Sequence, residues 1–397
     1  MLIHSWRWFG PGDRISLDQI RQAGAGSIVT ALHQIPAGET WPADQIMERK
    51  RLIEASGLQW TVVESVPVHE EIKRGTHNKQ RYIENYKQTL INLARENIRT
   101  VCYNFMPVLD WSRTNLQYRS VDGSVASSFD YSHFAAIDMF ILKRPGAEKS
   151  YPEDLCQQAA MFYRSLDDSS IERLTNTFLL GLPGSGETFT LQEIVSRIEG
   201  YRDIDKQVYQ SNLMAFIEAI VPVAEEEGLL LAMHPDDPPW PLMGLPRAVS
   251  TLEDAEKIIA AVDTPSNGIT FCTGSFGAAS TNDIPLMADK LAHRINFAHL
   301  RNVSRDDQSN FREENLFDGD VDMYRIIKTL VLEDQKRLST LKGYMGIPLR
   351  PDHGASILGD LNEDYYPGYS LYGRMKNLAE IRGLEIGIRN SLKEGRV

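Results

Sequence analysis

The chain has 397 residues, of which 42% are hydrophobic and 24% charged, with a formal net charge of −12 at pH 7. This composition suits a globular protein with a sizeable core, whereas nucleic acids and anionic membranes are bound by basic surfaces. We therefore expect no nucleic acid and no membrane among its partners. The N-terminus lacks a basic region followed by a long apolar stretch, and Cys102, Cys156 and Cys272 are widely spaced, so we expect a cytoplasmic protein.

Short β-rich runs alternate with helical patterns along most of the chain. The predicted strands cover residues 5–9, 26–32, 59–65, 99–105, 229–234, 268–273, 295–300 and 344–351. The predicted helices cover residues 16–25, 41–57, 78–98, 206–228, 251–263, 283–293, 320–339 and 369–384. Several strands are continuous apolar runs, which is typical of a buried parallel sheet. The alternation predicts an α/β fold, a (β/α)8 TIM barrel built by residues 1–397 as a single domain.

A doubly wound open sheet is the alternative, but no GxGxxG motif follows the first strand. A hundred residues, 106–205, interrupt the rhythm after the fourth strand. They carry helical patterns at 151–166 and 169–182 and turn clusters at 122–128 and 182–188. Because long loops after barrel strands lie over the catalytic face, we expect a helical insertion that acts as a cap or an oligomer contact. A homo-oligomer is therefore expected.

Potential metal ligands stand at the ends of four consecutive predicted strands, the end at which barrel enzymes place their chemistry. These residues are His234, Cys272, His299 and Asp352, the last followed directly by His353. A single His or Cys on a buried strand is more often a core residue, and Asp352 alone could cap a turn. Imidazole, thiolate and carboxylate at successive strand ends together predict a metal site.

Several neighbouring residues are weaker candidates. Asp236 and Asp237 could orient the imidazole of His234 or form an acidic turn. His33 follows the second predicted strand and Asn104 lies at the end of the fourth, so both could contact a substrate.

Asp352 and His353 are neighbours in sequence, and neighbouring residues on a strand point to opposite faces. We therefore expect regular strand pairing to fail at or just after Asp352, where Gly354 lets the chain turn.

The segments HPDDPP, CTGS, HLR, RPDHG and PGYSLYGR, in this order, closely resemble the D-mannonate dehydratase family. WRWFGPGD, TALHQIPAGE, VVESVPVHE and TVCYNFMPVLDW also resemble segments of that family. The resemblance implies a xylose-isomerase-like TIM barrel that requires a divalent metal, usually Mn²⁺. It implies conversion of D-mannonate to 2-keto-3-deoxy-D-gluconate and water in hexuronate catabolism. It also implies His234, Cys272, His299 and Asp352 as metal ligands, with His353 and Tyr369 as the acid/base pair.

This reaction removes the C2 proton and expels the C3 hydroxyl, so it needs one base and one acid. The sequence leaves open which of His353 and Tyr369 plays each part. Arg7, Asn104 and Arg301 are candidates for reading the distal hydroxyls. A thiolate ligand favours softer metals, so Fe²⁺ or another divalent ion is the alternative to Mn²⁺.

Two other functions are weighed against the dehydratase. A metal-dependent sugar or hexuronate isomerase on the same barrel would favour a carboxylate-rich metal site, whereas this chain offers His and Cys. A non-catalytic sugar-acid-binding protein would be expected to lose the proton-transfer residues, yet His353 and Tyr369 are both present.

Overall fold

The computed structural model describes residues 1–180 and 190–395, and the predicted turn cluster at 182–188 lies outside these residues. The strands of this part of the chain are β1 (Ile3–Arg7), β2 (Ser27–Thr30), β3 (Gln59–Glu64), β4 (Thr100–Asn104), β5 (Asn115–Arg119), β6 (Val125–Phe129), β7 (Leu230–His234), β8 (Asn267–Cys272), β9 (Ile295–Leu300), β10 (Asn302–Arg305), β11 (Phe311–Glu314) and β12 (Pro348–Pro351). Eight of them form a closed barrel in the order β1-β12-β9-β8-β7-β4-β3-β2. Every neighbouring pair of the barrel is parallel, so the predicted (β/α)8 TIM barrel is confirmed.

The helices between the strands follow the predicted pattern. They are α1 (Leu17–Gln22), α2 (Ala43–Ala55), α3 (Glu70–Lys73), α4 (Lys79–Arg95), α5 (Tyr131–Ala136), α6 (Glu153–Ser165), α7 (Asp168–Leu179), α8 (Leu191–Glu199), α9 (Lys206–Glu226), α10 (Leu252–Ala261), α11 (Thr273–Gly277), α12 (Ile284–Leu291), α13 (Met323–Thr340) and α14 (Leu371–Lys393). Ser16 caps α1 through a reciprocal capping box with Gln19, which fixes where that helix begins. No described helix combines the length and the apolar character needed to cross a membrane.

Buried apolar strands explain why the barrel closes. All positions of β2, β4, β8, β9 and β12 are buried, as expected for strands covered by helices on one side and barrel contents on the other. The carboxyl ends of all eight strands then open at one rim, so the residues at those ends become neighbours in space.

The segment between β4 and α9 is not wholly helical. It contains α5 to α8, but β5 and β6 form an antiparallel hairpin across the residues predicted as a turn cluster at 122–128. A second hairpin, β10–β11, follows the seventh barrel strand and pairs with the first through Phe311 and Phe129. The resulting four-stranded sheet, in the order β10-β11-β6-β5, lies outside the barrel order and was not predicted.

The chain leaves the barrel as expected at Asp352, because β12 ends at Pro351. The role of Gly354 differs from the prediction, since its φ is not in the left-handed region. A Cβ at Gly354 would instead overlap the backbone nitrogen of Arg374 in α14. Gly354 therefore allows a close approach to α14 rather than an unusual turn.

Candidate active site

The four residues predicted as metal ligands converge at the carboxyl rim of the barrel. The ligand atoms of His234, Cys272 and His299 all lie within 4.8 Å of one another, and all three residues belong to the barrel strands β7, β8 and β9. Nε2 of His234 is 3.2 Å from Nδ1 of His299. Asp352 joins them, with Oδ2 at 3.7 Å from the Cys272 thiol and Oδ1 at 3.9 Å from Nδ1 of His299.

These separations and donor types suit one cation. Ligands bonded to a first-row divalent ion at about 2.0–2.3 Å lie about 3–4.5 Å from each other. Burial lowers the pKa of His234, which favours the neutral imidazole that binds metals. The cluster thus has the spacing and the chemistry of a mononuclear metal site with two imidazoles, one thiol and one carboxylate.

Each imidazole has an oxygen near its second nitrogen. Nδ1 of His234 lies 2.7 Å from the carbonyl oxygen of Pro235, which leaves Nε2 facing the cluster. Nε2 of His299 lies 3.5 Å from Oε2 of Glu64, which leaves Nδ1 facing the cluster. Such outer partners fix the ring orientation of histidine ligands.

Glu64, at the end of β3, is itself held as an anion. Arg350 donates two hydrogen bonds to its carboxylate, at 2.8 and 2.9 Å, and Nη1 of Arg7 lies 3.3 Å from Oε2 of Glu64. Burial raises the pKa of Glu64, but Arg350, His299 and Arg7 hold it well below its usual range. Glu64 lies within the third predicted strand, 59–65, but the pattern of that strand does not indicate this contact with a predicted ligand.

Asp236 and Asp237 do not make the expected hydrogen bonds to His234. Asp236 accepts hydrogen bonds from the backbone of Val249 and the hydroxyl of Ser250. Asp237 pairs with Arg113 at 2.9 Å and with Arg301 at 2.7 Å. Nδ1 of His234 lies against the carbonyl oxygen of Pro235 instead, at 2.7 Å, so the hypothesis that Asp236 or Asp237 orients this imidazole through a hydrogen bond was wrong.

His353 and Tyr369 lie side by side next to the cluster. Their ring centroids are 5.2 Å apart at an interplanar angle of 71°. Gly354 and Tyr369 form an isolated parallel bridge that brings the two segments together. Gly368 has φ of +82°, and a Cβ on it would lie 3.1 Å from Cγ of His353, so only glycine fits easily.

Among Tyr366, Tyr369 and Tyr372, around the start of α14, Tyr369 is the buried one. It is 6% exposed and packs edge-on against Phe9, with the two ring centroids 4.9 Å apart. Tyr372 is 40% exposed, and the hydroxyl of Tyr366 donates to the carbonyl of Leu180. Burial is the largest cause that raises the pKa of Tyr369, to about 12.

The predicted substrate residues differ in what they can still bind. Nε of Arg7 is buried and has no hydrogen-bond partner among the described residues. Asn104 lies opposite His234 in the strand register and donates to Asp110 at 3.2 Å. The ring of His33 is half-buried, and its centroid lies 6.1 Å from that of Phe9, which in turn packs against Tyr369.

Arg301 is engaged within the protein. Its guanidinium contacts Asp237 at 2.7 Å, Glu313 at 3.2 Å and Asp352 at 3.5 Å. A Cβ at Gly274 would overlap its Nε, so the CTGS segment leaves room for this side chain. These contacts show Arg301 linking a predicted ligand to the second sheet, in addition to any contact with substrate.

Three residues near His353 were not among the candidates selected from the sequence. Trp111 and Arg113 precede β5, and the Trp111 ring lies edge-on to His353 at 6.2 Å. Glu313, in β11, has Oε1 at 3.1 Å from Nδ1 of His353 and at 2.7 Å from Arg113. The only available signal was the TVCYNFMPVLDW segment that ends in Trp111; "FREE" around Glu313 reads as a polar surface run.

A parallel barrel with a buried His₂–Cys–Asp cluster at its carboxyl rim and an adjacent His–Tyr pair defines a TIM-barrel enzyme with a candidate metal site. The family model described as D-mannonate dehydratase (UxuA) matches residues 2–395. The chain therefore belongs to the D-mannonate dehydratase family.

Individual relatives agree with this family. The chain is 50% identical over 390 residues to mannonate dehydratase of Marinomonas sp. strain MWYL1, covering 98% of this chain and 100% of that protein. It is 52% identical over 387 residues to mannonate dehydratase of Chromohalobacter salexigens, covering 97% and 98%. The crystal structure of mannonate dehydratase from Streptococcus suis serotype 2 superimposes with a TM-score of 0.78 at 35% identity, covering 99% of this chain and 96% of that one.

Proposed function

We propose that the protein is a metal-dependent hydro-lyase that converts D-mannonate to 2-keto-3-deoxy-D-gluconate and water in hexuronate catabolism. The observation that carries this proposal is the His234–Cys272–His299–Asp352 cluster with His353 and Tyr369 directly beside it, in a chain of this family. A cation held by the four ligands would supply Lewis-acid stabilisation of the negative charge that develops on the substrate carboxylate and C2 oxygen.

His353 is the proposed base and Tyr369 the proposed acid. A phenol whose pKa is raised to about 12 stays protonated at neutral pH and can donate a proton to the departing C3 hydroxyl. His353 takes the C2 proton, the C2–H electron pair forms the C2–C3 double bond, and the C3–O bond breaks. The resulting enol becomes the 2-keto product. His353 and Tyr369 lie close enough to act on adjacent carbons of one substrate.

The substrate carboxylate and hydroxyls have candidate partners at the same rim. Arg7 offers a buried guanidinium nitrogen, which suits an anionic sugar acid. Asn104 and His33 are proposed to contact hydroxyls, and Arg301 to contribute through its position between Asp352 and Glu313. The 106–205 segment supplies Trp111 and Arg113 beside His353, which supports a capping role for the insertion.

Mn²⁺ is the proposed metal, with Fe²⁺ or another divalent ion as the alternative because of the thiol ligand. The test is to strip the metal, add Mn²⁺, Fe²⁺ without oxygen, or Zn²⁺ separately, and follow the keto product from D-mannonate. We expect product only after metal addition. Absence of metal-dependent product would refute the proposal.

The same assay separates the alternative functions. Interconversion of hexuronates or free sugars without loss of water would indicate an isomerase; the Cys and His ligands argue against it. Binding of D-mannonate without turnover would indicate a sugar-acid-binding protein. The protein is further proposed to act in the cytoplasm, where its free thiols stay reduced, and as a homo-oligomer, which light scattering of the eluted protein would measure.

A further inference from the structure

One buried carboxylate lies against His353 and has no part in the proton transfers described above. Oε1 of Glu313 is 3.1 Å from Nδ1 of His353, and both residues are buried. Glu313 is carried by β11 in the second sheet, so it reaches the imidazole from outside the barrel.

The position of the Glu313 carboxylate is fixed on several sides. Nη2 of Arg113 donates to Oε1 at 2.7 Å, and Nη1 of Arg301 lies 3.2 Å from the same oxygen. The Arg113 guanidinium is in turn packed over the rings of Trp111 and Phe311, at 4.8 and 4.7 Å. The strand that bears Glu313 pairs with β10 on one edge and with β6 on the other. A carboxylate held this way can orient a neighbouring ring.

The surroundings of Nδ1 select one tautomer of His353. Nδ1 lies 3.2 Å from Nη1 of Arg301 as well, so it could accept from Arg301 or donate to Glu313. Nη1 of Arg301 also lies 3.2 Å from Oε1 of Glu313, and a charged carboxylate is a stronger acceptor than a neutral imidazole. Burial raises the pKa of Glu313, but Arg301, His353 and Arg113 lower it to about 2, so the carboxylate is an anion. Donation from Nδ1 to Glu313 is therefore favoured.

We propose that Glu313 is a positioning residue for His353, which holds the imidazole with Nδ1 protonated and leaves the lone pair on Nε2 to accept the C2 proton. When Nε2 takes that proton, the ring becomes an imidazolium and its new charge faces the Glu313 carboxylate. Glu313 neither gains nor loses a proton in the step. This inference rests on the proposed function, because the proton concerned is the one removed from D-mannonate.

The chain offers a matched control on the same strand. Glu314 is adjacent in sequence, but its carboxylate contacts Ser304 and Arg312 rather than His353. The comparison is Glu313→Gln against Glu314→Gln, with Glu313→Asp as the conservative variant that keeps the charge. Each variant is assayed for kcat and KM with D-mannonate, for bound metal, and for the primary isotope effect with C2-deuterated D-mannonate.

We expect Glu313→Gln to lower kcat about 100-fold, with KM changed by less than about threefold and bound metal retained. The isotope effect on kcat should rise, because proton removal becomes slower relative to the other steps. Glu313→Asp should recover part of the loss, and Glu314→Gln should resemble the wild type. A rise in KM with kcat retained, a loss of metal, or a lower kcat with an unchanged isotope effect would each overturn the inference.

The tautomer is measured independently of turnover. In zinc-loaded protein labelled with ¹⁵N-histidine, the ring signals of His353 are those missing from His353→Asn. A protonated Nδ1 and an unprotonated Nε2 in the wild type are expected, and the opposite pattern overturns the inference. Failure of the wild type to dehydrate D-mannonate would instead refute the proposed function, and the ¹⁵N signals would still decide the role of Glu313.

Discussion

Oε2 of Glu64 lies 3.5 Å from Nε2 of His299, on the opposite ring nitrogen from the one that faces His234. The barrel strand β3 thus places a carboxylate beside a predicted ligand carried by β9. Because outer partners of metal-binding histidines contribute about 10–100-fold in affinity, Glu64→Gln should weaken metal binding by that factor. Titration of the stripped protein with Mn²⁺ measures this affinity. Glu71→Gln, whose carboxylate contacts Arg74 and Thr76, is the control and should bind Mn²⁺ like the wild type.

Metal binding and proton transfer should separate by mutation. Cys272→Ser removes a predicted ligand and should lower metal affinity by more than about 100-fold, beyond the effect of an outer partner. His353→Asn should retain metal and lose turnover. Metal content and kcat of both proteins test this division, and loss of metal from His353→Asn would contradict it. Cys102→Ser is the control for a buried cysteine in the barrel that is not a predicted ligand, and should keep its metal.

Gly368 tests how tightly His353 is placed. Gly368→Ala introduces a Cβ 3.1 Å from Cγ of His353, at a residue whose φ is +82°. Both the close contact and the backbone strain should lower stability, and the displacement of His353 should lower kcat. Gly343→Ala is a matched control because Gly343 has φ of +77° and nothing within 4 Å of the added Cβ. Both variants should lose about 1–2 kcal/mol of unfolding free energy from backbone strain, but only Gly368→Ala should lose turnover. Equal kcat in the two variants would show that Gly368 does not position His353.

The other end of the barrel should respond to acid through Glu385. Its carboxylate accepts from the backbone of Leu2, and contacts His4 and Arg389 at 2.7 Å. Burial raises the pKa of Glu385, but His4, Arg389 and the Leu2 backbone lower it to about 2. The folded-state pKa is thus depressed below the unfolded value of about 4.3, so this stabilisation is complete above that value and is lost as pH falls towards 2.

We therefore expect Glu385→Gln to be less stable than the wild type at pH 7 by about 1–2 kcal/mol. The difference should shrink below pH of about 4.3, where this carboxyl begins to protonate in the unfolded chain but not yet in the folded one. Urea unfolding at several pH values measures it, with the exposed Glu256→Gln as control. A difference that stays constant down to pH of about 3 would contradict this assignment.

The barrel was predictable because each of its strands can be recognised from its own short stretch of sequence. β9, for example, coincides with the predicted 295–300, since its six residues form one buried run. The first strand is displaced, from 5–9 to Ile3–Arg7, because Trp8 and Phe9 are apolar yet lie beyond the end of the strand. The last begins later than expected, because Gly346 at φ of +127° interrupts the extended chain before Pro348.

The second sheet was not predictable from local pattern. The strands β5 and β11 are short, and their sequences, NLQYR and FREE, are largely polar. The contact between Phe129 and Phe311 joins segments far apart in the chain, and no periodicity reports such pairing. The same reason explains why His353 could be selected as a strand-end residue, whereas Glu313 and Arg113, which fix its surroundings, could not. Convergence of the four predicted ligands, by contrast, follows from barrel geometry alone.

The pairing of the two hairpins also divides the active site by origin. The predicted metal ligands are carried by barrel strands or the residue that follows one, whereas the Glu313–Arg113 contacts around His353 come from loops that the barrel does not need in order to close. Loops of this kind tolerate sequence change better than the strands they connect. We therefore expect that the surroundings of His353 can change with these loops while the predicted metal ligands stay where they are.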